Sequence, residues 1–229
     1  MFAFFCYGVF MNVPFVSCIM LTYNRFEPLK HAINNFIEQT HPNKELIVIN
    51  SGDDKYKDKV SNYIMSVGGF DINDIHHYEV EPMSIGELRN IGIEKSRGEY
   101  IIVFDDDDVH HPQRIEKQLN VCINSNIDGT ILRNFTAVYK NKWFGKKRFE
   151  CTMLPGLEGT LLFRKGDVRY PDMNQGEDTG FLERIKDDGY KIAIIDEPYE
   201  MYEYNFYGKN TVSKDHFKEM IELNKPLRS

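Results

Sequence analysis

No run of about twenty apolar residues occurs in this chain, so nothing in it has the length to cross a bilayer as a helix. A basic stripe is also missing. The formal net charge of −7 over 229 residues argues against a nucleic-acid partner, which would need clustered Lys and Arg. Cysteines are few and scattered. Cys6, Cys18, Cys122 and Cys151 show no close pairing, with Cys18 in an apolar run and Cys122 on an apolar helical face. Buried, reduced thiols follow, zinc does not, and a cytoplasmic location is expected. No internal repeat or low-complexity linker divides the chain. Residues 1–13 form an apolar, aromatic extension, but Met1 to Met11 lacks the basic region and small-residue cleavage site of a signal peptide. An extra strand, a peripheral contact with a membrane surface, and upstream sequence before a start at Met11 stay open for it.

What is present is regular alternation. Val16 to Leu21 predicts a strand. Pro28 suits a first helical turn, and Leu29, Ile33, Phe36 and Ile37 keep helical spacing. Glu45 to Ile49 predicts a second strand, ended by Ser51-Gly52. A helix over Tyr56 to Val67, a strand over Ile75 to Val80 and a helix over Ile85 to Ser96 follow. Tyr100 to Phe104 is the next strand, and Ile115, Leu119, Cys122 and Ile123 mark a helix. The fold class is therefore α/β: a Rossmann-like, mostly parallel sheet flanked by helices on both faces. Beyond residue 126 the strands become Gly129 to Lys140, Gly159 to Lys165 and Tyr190 to Ile195. Helices are expected around Phe181, Leu182 and Ile185 and over Ser213 to Leu223. One domain, 14–229, is the economical division, with a nucleotide-type half, 14–125, and an embellished half, 126–229. The composition leaves homo-oligomerisation open.

The most informative stretch is Gly98 to Pro112, where an apolar strand runs directly into Asp105, Asp106, Asp107 and Asp108. Continuous apolarity marks a buried parallel strand, and open α/β sheets bind ligands at carboxyl strand ends. Adjacent carboxylates raise each other's pKa unless paired. A hard cation with oxygen ligands resolves the conflict, the plainer alternative being a solvated acidic turn. Mn²⁺ or Mg²⁺ is therefore the expected cofactor, and a phosphorylated ligand follows from it.

Other loops fall at neighbouring strand ends. Thr22-Tyr23-Asn24-Arg25 leaves the first strand, where Tyr23 can stack on a base and Thr22 and Asn24 can hydrogen-bond one. Asn50-Ser51-Gly52-Asp53-Asp54 leaves the second and offers a further base or ribose site, or a plain glycine turn. Arg89, fork-shaped and always charged, can reach a diphosphate or form a helix salt bridge. Glu177 and Asp178 open a helix, either as simple N-terminal acids or as a general base aimed at an acceptor hydroxyl.

Taken in order, Val16–Arg25, Ile49–Asp54, Leu88-Arg89-Asn90-x-Gly92, Gly98–Asp108 with Pro112, Gly159–Arg164, Gly176-Glu177-Asp178 and Gly189–Pro198 resemble a family 2 glycosyltransferase of the GT-A fold. The resemblance runs from about Pro14 to about Ser213. It implies a metal-dependent, inverting transfer from a nucleoside-diphosphate sugar, UDP being favoured, to a glycan, protein or lipid acceptor. By the same resemblance Asp107 would ligate the metal, with Asp105 holding the metal, ribose or donor sugar. Asp106 and Asp108 would support either task. Thr22 and Tyr23 would cradle the base, with Asn24, Arg25, Ser51 and Asp53 beside it. Asp178 would be the base with Glu177 its companion, and Gly159 to Phe163 would wall the sugar and acceptor pocket.

Two departures stand out. Asn50 and Ser51 occupy places where the family usually carries two aspartates, one reading uracil. Tyr207-Gly208-Lys209-Asn210-Thr211 replaces a motif that begins with histidine. His110, His111 and His216 are expected at the surface. Two other readings compete. Phe104 to Val109 also fits the nucleophile motif of haloacid-dehalogenase phosphatases, with Asp105 as nucleophile and Asp107 as acid/base. That motif opens its domain's first strand, whereas here three strand–helix units come first. A non-catalytic sugar-nucleotide-binding protein is the other alternative.

Overall fold

The computed structural model describes residues 13–67, 74–141, 145–206 and 214–223. β1 (Val16–Thr22) and β2 (Lys44–Asn50) are almost wholly buried and pair in parallel along their whole length. Between them α1 (Phe26–Ile37) buries Leu29, Ala32, Ile33 and Phe36, whereas Ile37, expected on the same face, is exposed at the end of the helix. α2 (Asp54–Val67) returns the chain to β3 (Ile75–Glu79), which lies parallel to β2. α3 (Ile85–Lys95) starts at a capping box: the Ser84 hydroxyl accepts from the Glu87 N–H while Glu87 accepts from the Ser84 N–H. It packs tightly on β1, since a Cβ on Gly92 would fall 2.5 Å from Ile19. β4 (Tyr100–Val103) is buried throughout and pairs with β1.

The second half adds β5 (Val109–His110), α4 (Arg114–Ser125), β6 (Gly129–Leu132), β7 (Asn134–Asn141) and β8 (Gly145–Thr152). After a 3₁₀ turn over Glu158–Thr160 come β9 (Leu162–Arg164), α5 (Glu177–Asp187), β10 (Ile192–Ile195), β11 (Tyr202–Phe206) and α6 (Lys214–Leu223). The large sheet has seven strands in the order β10-β6-β9-β4-β1-β2-β3. All its pairings are parallel except those of β9. A four-stranded sheet, β5-β11-β7-β8, stands beside it.

Helices cover both faces. Leu29, Phe36, Phe104, Ile115 and Leu119 pack on one side of β1 and β4. Ile93, Phe163, Phe181 and Ile185 pack on the other. Each such side chain contributes roughly 1.5–3 kcal/mol by leaving water. A third core, with Phe206 and Phe217, lies under the small sheet. Cys18, Cys122 and Cys151 are buried free thiols, while Cys6 lies outside the described residues, as does the extension expected over 1–13 apart from Val13.

Two expectations change in the second half. The single strand expected over Gly129 to Lys140 breaks at Arg133, so β6 joins the large sheet and β7 the small one. The strand expected from Gly159 starts later, because Leu161 N–H closes back on Glu158 O and winds the 3₁₀ turn first. Among the described residues no helix is long and apolar enough to cross a membrane.

Candidate functional site

The ends of β1, β2 and β4 lie side by side, so the loops that leave them form one crevice. The first two loops are laced together. The Thr22 and Tyr56 hydroxyls share a hydrogen bond. Asn24, held at a φ of 52°, accepts from the Asp53 N–H at 3.2 Å. The buried Asn50 accepts from the Gly52 N–H at 3.0 Å and faces His77 Nε2 at 3.0 Å. Ser51 is buried and donates its N–H to the Thr22 carbonyl. Asp53 accepts from the Tyr56 N–H at 2.9 Å, so it caps α2. Tyr23, 56% exposed, is the apolar face these loops present outward.

Behind β4 the four aspartates diverge. Arg25 pairs with two of them: its Nη2 lies 2.6 Å from Asp106, and its Nη1 donates to Asp107. Asp106 is buried, and burial pushes its carboxyl up to about 8 against the opposing pull of Arg25. Burial likewise raises Asp107, again opposed by Arg25. Asp108 turns inward and accepts from the Tyr202 hydroxyl and, at 2.7 Å, from the Asn205 N–H. It therefore anchors the acidic loop to β11. Burial and the neighbouring Asp107 and Asp105 raise it well above the carboxylate range.

A second layer supports Asp105. His110 is buried and stacks on Phe104 with ring centroids 3.6 Å apart. Arg114 Nη1 donates to His110 Nδ1 at 2.5 Å. An arginine can only donate, so His110 carries its proton on Nε2 and gives it to the Asp105 carbonyl at 3.1 Å. Burial, then Arg114, push His110 well below its ordinary range, so it is neutral. The surface position expected for His110 is thus corrected: the aromatic floor of Phe104 and Tyr202 draws it inside. The side chain of His216 and the segment Tyr207 to Thr211 lie outside the described residues.

Glu177 and Asp178 close the constellation. α5 begins at Gly176, whose φ of 74° turns the chain into the helix. Asp178 is then brought to Arg89. The buried Arg89 lies 3.2 Å from Asp105 through Nη2 and 3.4 Å from Asp178 through Nε. Arg89, for which the sequence offered a diphosphate contact or a helix salt bridge, pairs with two carboxylates inside the fold and so joins the two sides of the site. Burial raises Asp178 to about 7, while Arg89 pulls the other way. Thr179 donates to Glu158 at 2.6 Å and ties α5 to the 3₁₀ turn. Glu177 is buried beside Asp178.

Sequence reasoning missed Tyr56, His110, Arg114, Tyr202 and Asn205. Only the four-residue spacing of His110 and Arg114 carried any signal, and a lone pair at that spacing is commonplace. Among the described residues, no three His, Cys, Asp or Glu side chains converge into a ready-made metal cage. The carboxylates Asp105, Asp106, Asp107 and Asp178 nonetheless outnumber the Arg25 and Arg89 cations that pair with them. A hard cation fits that imbalance, and Mg²⁺ commonly takes one or two carboxylates with the remainder of its shell from phosphates and water.

Comparison with known proteins agrees with this geometry. The family model described as glycosyl transferase family 2 matches residues 17–182. An uncharacterised glycosyltransferase of Haemophilus influenzae is 27% identical, over 92% of this chain and 86% of its own. One from Rickettsia typhi is 34% identical over 47% of this chain, a match spanning only 32% of the relative's length. Among solved structures, S. aureus TarS residues 1–349 in complex with UDP-GlcNAc superposes with a TM-score of 0.67 at 17% identity, covering 93% of this chain and 68% of that one. The mannosyltransferase PcManGT from Pyrobaculum calidifontis, in complex with GDP-Man and Mn²⁺, gives 0.66 at 15% identity, covering 91% and 60%. These neighbours share the GT-A fold, and the chain belongs to glycosyl transferase family 2.

Proposed function

We propose that this chain is a metal-dependent, inverting glycosyltransferase that moves a sugar from a nucleoside diphosphate to an acceptor hydroxyl. The observation that carries it is the meeting of Asp105 and Asp178 on Arg89, which sets a donor-side carboxylate and a tuned base on one guanidinium. In this reading Tyr23 stacks on the base, and Thr22, Asn24, Ser51 and Asp53 shape the loops around base and ribose. UDP and GDP are the donor nucleotides to test first, because the TarS and PcManGT complexes hold one each.

Arg25 orients Asp106 and Asp107, and Asp107 with Asp105 would hold Mn²⁺ or Mg²⁺. Such a cation, when bound, neutralises the departing diphosphate, so that side needs no general acid. Asp178, with Glu177 beside it, takes the proton from the incoming hydroxyl. The hydroxyl attacks the anomeric carbon opposite the leaving diphosphate, through an oxocarbenium-like state, and the centre inverts. A carboxylate near 7 suits this task, since a general base works best close to the operating pH.

The test is release of nucleoside diphosphate from a panel of UDP-, GDP- and dTDP-sugars with Mn²⁺, with Mg²⁺ and with EDTA, both alone and with glycan, peptide and lipid acceptors. Metal-dependent release from one donor supports the proposal and names the base. Donor binding without turnover under any condition would instead indicate a non-catalytic binder.

A further inference from the structure

His77, half-buried on β3, bonds through both ring nitrogens. Ser61 Oγ, on α2, lies 3.0 Å from its Nδ1, and Asn50 Nδ2, at the end of β2, lies 3.0 Å from its Nε2. The partners fix which atom donates. The Ser61 hydroxyl gives its one proton to the Glu79 carboxylate at 3.2 Å, so toward Nδ1 it accepts. Nδ1 therefore carries the imidazole proton, and Nε2 is left as an acceptor. Asn50 Oδ1 accepts the Gly52 N–H at 3.0 Å, so the amide presents its Nδ2 donor to Nε2. Glu79, Ser61, His77, Asn50 and Gly52 thus form one directional chain of hydrogen bonds.

The chain ends on the turn that borders the crevice. Asn50 is fully buried, so what it controls there is the Gly52 backbone. That turn is clamped from its other side: a Cβ on Gly52 would fall 2.4 Å from the Tyr56 ring and 2.7 Å from Asn24 Oδ1. The Asn50 carbonyl also accepts from the Val80 N–H at 3.0 Å, so the β3 segment grips both the backbone and the side chain of Asn50. Few charged groups surround His77. Glu79 follows it on β3, and β2 brings Val48 and Asn50 to this face. On α2, Lys57 stands one turn before Ser61 and lies 3.9 Å from both Asp54 and Glu81. α3 packs on the opposite face of β3, where Tyr78 meets Lys95. Burial holds His77 below the ordinary 6.5, with Glu79 opposing, so near neutral pH it is the acceptor this chain requires.

We propose that His77 is a positioning residue for nucleotide binding: as an acceptor it locks Asn50 and, through Asn50, holds the Gly52 turn in the conformation that receives the nucleotide. The inference rests on the nucleotide reading of the crevice proposed above. A second proton on His77 turns Nε2 into a donor facing the Asn50 Nδ2 donor. Rotating the amide gives no relief, because Nδ2 would then face the Gly52 N–H. One donor is left unpaired either way and the turn loosens, so acid weakens nucleotide binding.

Two measurements test this. Proton NMR titration of the imidazole C2–H, assigned with His77→Gln, follows His77 in wild type and in Asn50→Asp. The midpoint should lie below about 6.5 in wild type and above it in Asn50→Asp, because a carboxylate at 50 demands a proton on Nε2. A midpoint that Asn50→Asp leaves unmoved would overturn the link. Calorimetric titration with UDP and with GDP, MnCl₂ present, follows the turn at about pH 7.5 and at about one unit below the NMR midpoint. At the higher pH His77→Met should lose about tenfold in affinity, and His77→Gln, whose Oε1 replaces Nε2 as acceptor, should recover it. On acidification wild type should lose about tenfold more than His77→Gln, a difference that leaves out the aspartates common to both. Equal losses in the two, or wild-type affinity in His77→Met, would overturn the inference. Failure of wild type to bind UDP or GDP at the higher pH would overturn the nucleotide reading instead, and the NMR titration separates that case.

Discussion

Asp105 and Asp178 meet on a single buried cation, the guanidinium of Arg89, at 3.2 and 3.4 Å. The acidic loop and the start of α5, the proposed donor and base sides, are therefore one electrostatic unit. Burial raises Asp178 to about 7; Arg89 opposes this, while Glu177, Asp105 and Glu158 add to it. A general base acts as the carboxylate, so turnover should climb as pH passes through about 7 and level off above it. Arg89→Met removes the opposing cation, and the acid limb should move to higher pH. Asp178→Asn should lower kcat by about 10²–10⁴-fold. A pH–rate profile of each variant checks this. An unmoved limb in Arg89→Met would show that Arg89 does not govern Asp178.

Chelation provides a second test. If Asp107 and Asp105 hold a divalent cation against the diphosphate, EDTA should silence transfer and Mn²⁺ or Mg²⁺ should restore it. Asp107→Ala should lose activity that excess metal cannot rescue, while its far-ultraviolet circular dichroism stays that of wild type. Wild-type rates in Asp107→Ala would remove that residue from the assignment.

The crevice was legible in the sequence because strand ends are. Continuous apolar runs such as Ile47–Ile49 and Ile101–Phe104 end abruptly in Asn50 and Asp105, and the parallel topology brings those ends together. The supporting layer was not legible. Asp108 and Tyr202 are far apart in sequence, and their contact depends on β11 pairing with β5. Nothing local encodes that pairing. The histidine at 110 looked superficial because a polar residue after four acids has no apolar pattern around it. Its burial comes from Phe104 before it and Tyr202 long after it. Arg89 carried a charge signal without a direction, and only the fold shows that it points to Asp105 and Asp178 together.

The anchor between Asp108 and Tyr202 makes a third prediction. Tyr202→Phe removes the hydroxyl that donates to the buried Asp108 and keeps the ring beside His110 and Arg114. Leaving a buried oxygen unpaired costs about 1–3 kcal/mol. Denaturant unfolding should show that loss. Because Asp108 continues the loop that carries Asp105 and Asp107, KM for the donor should rise as well. Unchanged stability and KM together would mean that the Asn205 N–H alone holds the loop.

Glu45 offers a test away from the crevice. It is fully buried at the start of β2, the end of the sheet opposite the acidic loop. Burial alone would raise its carboxyl, but hydrogen bonds from the Ser17 hydroxyl, the Arg97 N–H and the Arg97 guanidinium prevail and hold it below the ordinary value. A carboxylate lowered on folding stabilises the protein fully above its unfolded pKa of about 4.3, and that stability disappears as pH falls through the lower folded value. Arg97 is more than half exposed, so water would still solvate it in a Glu45→Ala variant. The cost then comes from the Ser17 hydroxyl, which keeps the Gly98 N–H but loses its acceptor, and from the orphaned Arg97 N–H, about 1–3 kcal/mol for such groups. Glu45→Ala should therefore be destabilised at pH 7, with the gap to wild type narrowing toward pH 3. Its affinity for the donor should match wild type. Denaturant titrations at both pH values check the first claim, and a gap that widens in acid would mean Glu45 is not held as the charged form.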